Sequence, residues 1–349
     1  MADCSFLVQA RYPATMRIDS GISGSLSTAA SEAASLEARG YDAIYTAETS
    51  HDPFFPLLLA AQATERIELM TSIAVAFARN PMVTATTAND LQFASKGRFI
   101  LGLGSQIKPH IEKRFSMSWS GKPASQMREF ILATRAIWAA WENKTKLDFR
   151  GEYYKHTLMT PFFAPSPNPY GPPKVFLAGV GKGMTEVAGE TCDGFLAHPF
   201  STARYLREVT MPALEAGMER GRRARPGLQV GVSTMVVSGN NEEQTVAAKN
   251  AIVGQIGFYG STPAYRPVLE LHGWGDLQTE LNSLSKQGRW ADMSHIIDDD
   301  VIGAFAVVAE PDRVATQIRL RYGDMADRVS LYFGLAPDVS ERIASDLRL

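Results

Sequence analysis

Two side chains that can move a proton stand three residues apart in the segment ETSHDP, which contains Glu48 and His51. A neutral imidazole near pH 7 can accept a proton from an alcohol or stabilise a developing anion, and the Glu48 carboxyl group could orient it or share in the proton transfer. The structural alternative is a loop in which Asp52 caps the next helix and His51 only packs. The pattern favours the first interpretation, so His51 and Glu48 are the candidate catalytic residues.

A glycine-rich segment at residues 179–183 (GVGKG) lies between a predicted strand and a predicted helix. Backbone N–H groups at such a junction, with a helix N-terminus behind them, bind anions such as phosphate. The segment is not a Walker A loop, because no Lys-Ser/Thr pair follows, and it is not a dinucleotide fingerprint, because Met184 replaces the third glycine. We predict a cofactor phosphate site here; the alternative is a tight turn that needs glycine for its backbone angles.

A second glycine segment, GLGS at residues 102–105, allows a flat ligand to approach the backbone closely. It is followed by a basic cluster at 108–114, which could meet a negatively charged tail or could be a solvated surface. The candidate cofactor contacts of this region are Gly104, Ser105, Gln106 and His110.

The elements that position these residues are short apolar runs that alternate with helical segments. Strands are predicted at residues 4–10, 42–47, 67–76, 98–103, 175–178, 194–197, 230–237 and 328–333. Helices are predicted at residues 28–39, 54–64, 80–94, 125–141, 183–191 and 201–217, and from 311 onwards. Continuously apolar strands are buried on both faces, and alternation with helices makes the sheet parallel. Eight βα units therefore predict an α/β fold, a (β/α)8 TIM barrel, as one domain over 1–349 with irregular insertions near 143–173 and 259–296.

In such a barrel the active site lies at the carboxyl ends of the strands. Three of the six histidines, His51, His110 and His198, follow predicted strands and so fall on one rim. Random placement would rarely produce this grouping, so the rim is the predicted active site.

The amino-acid composition limits the classes of partner and site that the chain could have. The chain has 349 residues, 35 Lys+Arg, 37 Asp+Glu and a net charge of -2, with no basic block that would indicate nucleic acid or an anionic membrane as partner. Its two cysteines, Cys4 and Cys192, exclude a disulfide framework and a cysteine-based zinc site, and no histidine spacing favours a metal. The N-terminus lacks the pattern of a signal peptide, and no run of about 18 apolar residues occurs. A cytoplasmic protein that acts on a small molecule is the expectation.

Four segments together resemble the bacterial luciferase-like superfamily of flavin- and deazaflavin-dependent oxidoreductases. They are AETSHDP at 47–53, TSI with RNP at 71–81, GRFILGLG at 97–104 and AGVG at 178–181. Longer runs such as HDPFFPL and LGLGSQIKPHIEKRF resemble an actinobacterial group of coenzyme F420-dependent oxidoreductases.

The resemblance implies roles for individual residues. It implies a non-prolyl cis peptide at Ser72-Ile73, in a bulge that supports the cofactor ring, and places His51 near the reactive face of that ring. It also implies that the cofactor phosphate binds at Ala178, Gly179, Val180 and Gly181. A related branch has an acidic glutamate after the strand-four glycines; Ser105-Gln106 stands there in this sequence, so Glu48 is the substitute proton donor. A homodimer is what the family suggests.

Three functions follow from the residues and the resemblance. The leading hypothesis is hydride transfer between coenzyme F420 and a small apolar alcohol, carbonyl or activated alkene, in a pocket walled by aromatic residues. The alternative is an FMN-dependent monooxygenase that uses O2 and reduced FMN from a separate reductase, and the third is a non-catalytic flavin-binding barrel. The aromatic residues predicted to wall the pocket are Trp119, Phe162, Phe163, Tyr259, Tyr265 and Trp274.

Overall fold

A closed ring of eight parallel strands forms the centre of the molecule. The computed structural model describes residues 16–224 and 227–349. The ring strands are β1 Arg17–Gly21, β2 Ala43–Thr46, β3 Glu68–Thr71, β4 Phe99–Gly104, β5 Lys174–Gly179, β6 Gly194–Ala197, β7 Gln229–Val237 and β8 Arg328–Leu331. Each strand pairs with the next in this order, and β8 pairs with β1, so the sheet closes as the predicted TIM barrel. A further strand, Ala306–Val308, pairs with the end of β7.

Helices surround the ring. They are α1 Ala29–Ala38, α2 Phe55–Ala63, α3 Pro81–Ala94, α4 Pro123–Asn143, α5 Lys182–Thr191, α6 Ala203–Tyr205, α7 Met211–Arg220, α8 Glu242–Gly260, α9 Arg266–Glu270, α10 Gly275–Lys286, α11 Asp299–Phe305, α12 Pro311–Tyr322 and α13 Pro337–Arg348. Asn80 begins α3 as predicted, because its side chain accepts a hydrogen bond from the Val83 N–H and Pro81 fills the first helical position. Within the described residues, no helix is long and apolar enough to cross a membrane.

The strands agree with the predicted ones except at two places. The third predicted strand, at 67–76, is broken at Ser72-Ile73 into β3 and a short strand, Ala74–Val75, which pairs with the end of β4. The first predicted strand, at 4–10, lies outside the described residues. The position between β8 and β2 is taken by β1, whose sequence RIDSG is too polar to indicate a buried strand.

The two insertions differ in character. The first contains a short antiparallel hairpin, Phe149–Arg150 with Lys155–His156. The second was expected to be irregular, and that expectation is wrong, because it contains the helices α9 and α10. These helices are held by apolar residues at helical spacing, and Val268, Leu269 and Leu281 are completely buried.

The amino end of the barrel is held by a buried ion cluster around Arg328, the first residue of β8. Its guanidinium donates two hydrogen bonds of 2.8 Å to the Asp19 carboxylate and one of 2.7 Å to Glu68. Burial alone would lower the pKa of Arg328, but the Asp19 and Glu68 carboxylates outweigh it and raise that pKa. Because this cluster lies at the end of the barrel opposite the predicted site, it contributes to stability rather than to chemistry.

Candidate active site

Residues at the carboxyl ends of the strands are less buried than those in the interior of the barrel. The interior of the barrel is filled by Met70, Ile100, Phe176 and Leu196, all of which are buried. The residues that follow towards the carboxyl ends are only partly buried, so they line a mouth accessible to a ligand. They include Tyr45, Ser72, Ile73, Ser105, Gln106, Ala178, Gly179, His198 and Tyr332.

The bulge between β3 and β4 brings several of the predicted residues together. The Ser72-Ile73 peptide bond is cis, as the resemblance implied. The Ser72 N–H donates to the Thr46 carbonyl at 2.7 Å, and the Ile73 carbonyl accepts from the Glu48 N–H at 3.1 Å. The bulge is therefore tied to the end of β2 on both sides of this bond.

Two glycines of β4 make room for the bulge. A Cβ atom at Gly102 would lie 1.8 Å from the Thr71 carbonyl oxygen, and one at Gly104 would lie 2.8 Å from the Ile73 side chain. The Thr71 hydroxyl also exchanges hydrogen bonds of 2.8 and 2.9 Å with the backbone of Gly102. These glycines are thus needed for close packing, and the side chain of Ile73 forms an apolar platform over Gly104.

Glu48 supports the bulge and does not face an open space. Its Oε2 atom accepts a hydrogen bond of 2.7 Å from the Val75 N–H and one of 2.5 Å from Arg79, and its side chain is 7% exposed. Arg79 also bonds Asp52 at 3.1 Å, so one guanidinium links the bulge to the His51 loop. Both hydrogen bonds fall on the Oε2 atom, so Glu48 holds the bulge in place, and its role as the substitute proton donor stays a prediction.

His51 lies on an exposed part of the loop that follows β2. Asp52 accepts a hydrogen bond of 2.8 Å from the Phe54 N–H and so helps to begin α2, while the Arg114 guanidinium donates to the Thr49 carbonyl. The His51 side chain has no hydrogen-bond partner among the described residues, and a Cβ atom at Gly24, after β1, would lie 3.9 Å from its Cδ2 atom. The loop is therefore anchored on both sides of an imidazole that is free to contact a ligand.

The loop after β4 adds a second wall to this side of the mouth. Gln106 has a positive φ of 59°, and its side-chain oxygen accepts from the Ile107 N–H at 3.0 Å. Ser105 donates to the Gln106 carbonyl at 3.1 Å. His110 begins the exposed π-helical turn His110–Arg114, whose last residue is the one that anchors the His51 loop.

The glycine segment after β5 is open, as a phosphate site requires. Gly181 has φ and ψ of -74° and 149°, which any residue can adopt, and a Cβ atom there would meet nothing within 4 Å. The structural alternative for this position, a turn that needs glycine, therefore does not apply to Gly181. The first N–H groups of α5, on Lys182 and Gly183, have no acceptor among the described residues. A helix N-terminus behind an unobstructed backbone is suited to an anion.

The opposite side of the mouth carries a cluster of hydroxyl groups around His198. The His198 Nδ1 atom accepts from the Phe200 N–H at 3.1 Å, and its Nε2 atom lies 3.2 Å from the Tyr265 hydroxyl. The hydroxyls of Tyr259 and Tyr332 lie 2.6 Å apart. Burial lowers the pKa of His198 to about 4 and raises that of Tyr265 to about 12, so both side chains are neutral at pH 7.

The aromatic residues predicted to wall an apolar pocket do not all lie at the mouth. Tyr259 and Tyr265 do lie at the mouth, but their hydroxyls make that wall polar, and Tyr332 was missed altogether. Phe162 and Phe163 are 89% and 73% exposed and so do not wall a pocket. Trp274 stacks on His272 with ring centroids 4.6 Å apart, and Trp119 packs against Phe77.

Two further chemistries find no support in the described residues. Cys192 is buried, and burial raises the pKa of its thiol to about 12, so it is not a reactive thiolate. In the described part of the chain, no group of three or more His, Cys, Asp or Glu side chains is arranged to hold a metal ion.

Similarity to known proteins extends over nearly the whole chain. The family model of luciferase-like monooxygenases matches residues 7–328. An uncharacterized protein of Mycobacterium tuberculosis is 55% identical over 314 residues, which are 90% of this chain and 92% of that protein. A 5,10-methylenetetrahydromethanopterin reductase of Archaeoglobus fulgidus is 26% identical over 292 residues, 81% of this chain and 82% of that protein. The solved structure of the coenzyme F420-dependent tetrahydromethanopterin reductase from Methanopyrus kandleri superposes with a TM-score of 0.77 at 20% identity, over 96% of this chain and 99% of that chain.

Proposed function

This chain belongs to the luciferase-like monooxygenase family, and we propose that it transfers a hydride between coenzyme F420 and a small apolar alcohol, carbonyl compound or activated alkene. The choice of coenzyme is supported by the F420-dependent reductase that shares the fold. It is also supported by the resemblance of runs such as LGLGSQIKPHIEKRF to F420-dependent oxidoreductases.

The observation that carries the proposal is the succession of three features on adjoining strands. His51 follows β2, the platform of Ile73 over Gly104 lies between β3 and β4, and the open helix N-terminus at Gly181 follows β5. A proton-transfer group, a surface for a planar ring and an anion site in this order fit a ring cofactor with a phosphate-bearing tail.

The cofactor contacts that we propose divide into two sets. Ser72, Ile73, Gly104, Ser105 and Gln106 would support the ring. The tail would contact His110 and the segment made of Ala178, Gly179, Val180 and Gly181, where the free N–H groups of Lys182 and Gly183 hold the phosphate. When bound, the deazaflavin supplies the acceptor or donor of the hydride.

The roles that we propose for the chain's own residues follow from their positions and from the hydrogen bonds around them. His51 removes the hydroxyl proton of an alcohol when the substrate is oxidised and returns it to the oxygen in the reverse direction. Glu48 and Arg79 hold the bulge and the His51 loop in a fixed relation, and so act as positioning residues. The barrel contributes orientation of the two reactants.

The assembly that we propose is a homodimer in the cytoplasm, and a separate reductase could regenerate the reduced cofactor. The dimer is supported by α2, whose inner face is buried but whose outer face exposes Phe55, Leu58 and Leu59. A surface helix normally carries polar residues on that side, and an exposed apolar patch marks an interaction site. Sedimentation equilibrium should give twice the mass of the chain; the mass of one chain would refute the dimer.

The test of the proposed function is turnover of F420 without oxygen. Reduced F420 with cyclohex-2-enone, and oxidised F420 with propan-2-ol, are each followed by the deazaflavin absorbance. His51→Ala should lower kcat by about 100-fold or more while the Kd for F420 changes little. His295→Ala, which removes an exposed histidine that is not among the proposed site residues, is the matched control and should react as the wild type does.

Absence of turnover with a panel of alcohols, ketones and enones would refute the proposal. A wild-type rate for His51→Ala would remove that residue's catalytic role.

A further inference from the structure

The His198–Tyr265 pair leaves one hydroxyl hydrogen unused. Because the His198 Nδ1 atom accepts the Phe200 N–H, the proton of the neutral ring must lie on Nε2. The Nε2–H group therefore donates to the Tyr265 oxygen, 3.2 Å away. The Tyr265 hydrogen has no acceptor among the described residues, so this hydroxyl is a free donor.

The Tyr259–Tyr332 pair also has one hydroxyl hydrogen that is not used within the pair. Two hydroxyls 2.6 Å apart use only one of their two hydrogens in the contact between them. Of the two rings, that of Tyr259 lies beside Tyr265, with ring centroids 6.0 Å apart. A free hydrogen on Tyr259 would therefore lie close to the free hydrogen of Tyr265.

Both free donors lie next to the proposed cofactor site, on the part of the mouth formed by β6 to β8. His198 follows β6 and Tyr332 follows β8, while the proposed cofactor residues follow β3, β4 and β5. The rings of Tyr259 and Tyr265 each lie 4.6 Å from the His198 ring and 6.0 Å from one another. A substrate placed against the cofactor ring would therefore meet these two phenols where the mouth is formed by β6 to β8.

We infer that the hydroxyls of Tyr259 and Tyr265 bind the oxygen atom of the substrate, which restricts the substrates to carbonyl compounds, including enones, and the corresponding alcohols. This inference rests on the proposed function. Two preorganised donors stabilise a carbonyl oxygen most when negative charge develops on it, as it does while a hydride adds to the carbonyl or the conjugated alkene. His198 acts as a positioning residue, because its Nε2–H group donates to the Tyr265 oxygen and leaves the hydrogen of that hydroxyl free. Tyr332 positions Tyr259 through the 2.6 Å contact between their hydroxyls.

The experiment measures binding of a carbonyl probe without any cofactor. Cyclohex-2-enone and cyclohexene have the same ring, but only the first has an oxygen. Their Kd values are measured for the wild type, Tyr265→Phe and the double variant Tyr259→Phe/Tyr265→Phe, and infrared difference spectra record the C=O stretch of the bound enone. Tyr154→Phe is the matched control, because its hydroxyl bonds Gln126 on α4 and none of the residues around His198.

Tyr265→Phe should weaken enone binding by about 2- to 10-fold, and the double variant should weaken it further. The Kd for cyclohexene should stay unchanged, and the downshift of the C=O stretch seen with the wild type should disappear in the double variant. Urea unfolding of each variant confirms that the fold is retained.

Equal losses for enone and cyclohexene, an unshifted C=O stretch in the wild type, or unchanged enone binding in the double variant would overturn the inference. A parallel titration of the wild type with F420 keeps the two proposals apart. Failure to bind F420 would refute the proposed function, while the enone measurements would still decide whether these phenols bind an oxygen.

Discussion

Gly181→Val separates a role in cofactor binding from a role in folding. Gly181 has ordinary extended backbone angles, and a Cβ atom there would have no neighbour within 4 Å. A valine therefore fits without strain and reduces the freedom of the unfolded chain, so the free energy of unfolding should stay the same or rise by about 0.4–1 kcal/mol. The same side chain would stand in front of the N–H groups of Lys182 and Gly183.

The expected loss of cofactor binding follows from the interactions that the valine would block. Each hydrogen bond from a backbone N–H to a charged phosphate contributes about 1.5–3 kcal/mol. The field of the α5 N-terminus adds about 0.3–1 kcal/mol. Loss of one such bond and part of the field gives about 2–4 kcal/mol, which corresponds to a rise in Kd of roughly 30- to 1,000-fold.

The assay is a fluorescence titration of wild type and variant with F420, together with urea unfolding of both proteins. Gly254→Val is the matched control, because Gly254 is exposed on α8 and equally free of neighbours. The control should bind F420 as the wild type does. An unaltered Kd for Gly181→Val, or a loss of stability that accounts for the weaker binding, would refute the assignment of the phosphate site.

Three further predictions concern the barrel itself. Gly102→Ala should lower the free energy of unfolding by about 2–3 kcal/mol or more in urea, because the added Cβ would lie 1.8 Å from the Thr71 carbonyl oxygen and β3 would have to move. Arg328→Met should cost about 3–5 kcal/mol in the same measurement, because it leaves the buried carboxylates of Asp19 and Glu68 without their partner. The pKa of His198 is lowered to about 4 from an ordinary 6.5, so its contribution to stability is complete above pH 6.5 and is lost as the pH falls to 4. The free energy of unfolding should therefore fall by up to about 3 kcal/mol more in the wild type than in His198→Gln over that range.

Much of the fold could be predicted because its signals are local. Continuous apolar runs gave seven of the eight ring strands within a few residues, and Asn80-Pro81 gave the start of α3. β1 was not predicted, because its Asp19 is buried by pairing with Arg328, a residue from the other end of the chain. The helices of the second insertion were not predicted, because the aromatic residues and glycines around them suggested an irregular segment.

The candidate site could be predicted only in part. The rim position of His51 and the open glycines after β5 follow from strand order, which the sequence shows directly. Three decisive contacts join residues far apart in the chain and leave no local pattern. They are the bonds of Glu48 to Arg79, His198 to Tyr265, and Tyr259 to Tyr332.

The central claim is that the mouth of this barrel holds a deazaflavin. The most direct measurement is a set of separate fluorescence titrations of the purified protein with oxidised F420, oxidised FMN and reduced FMN under anaerobic conditions. The account predicts tight, saturable binding of F420 and much weaker binding of either form of FMN. Preference for reduced FMN would contradict it and would instead support a monooxygenase that uses O2.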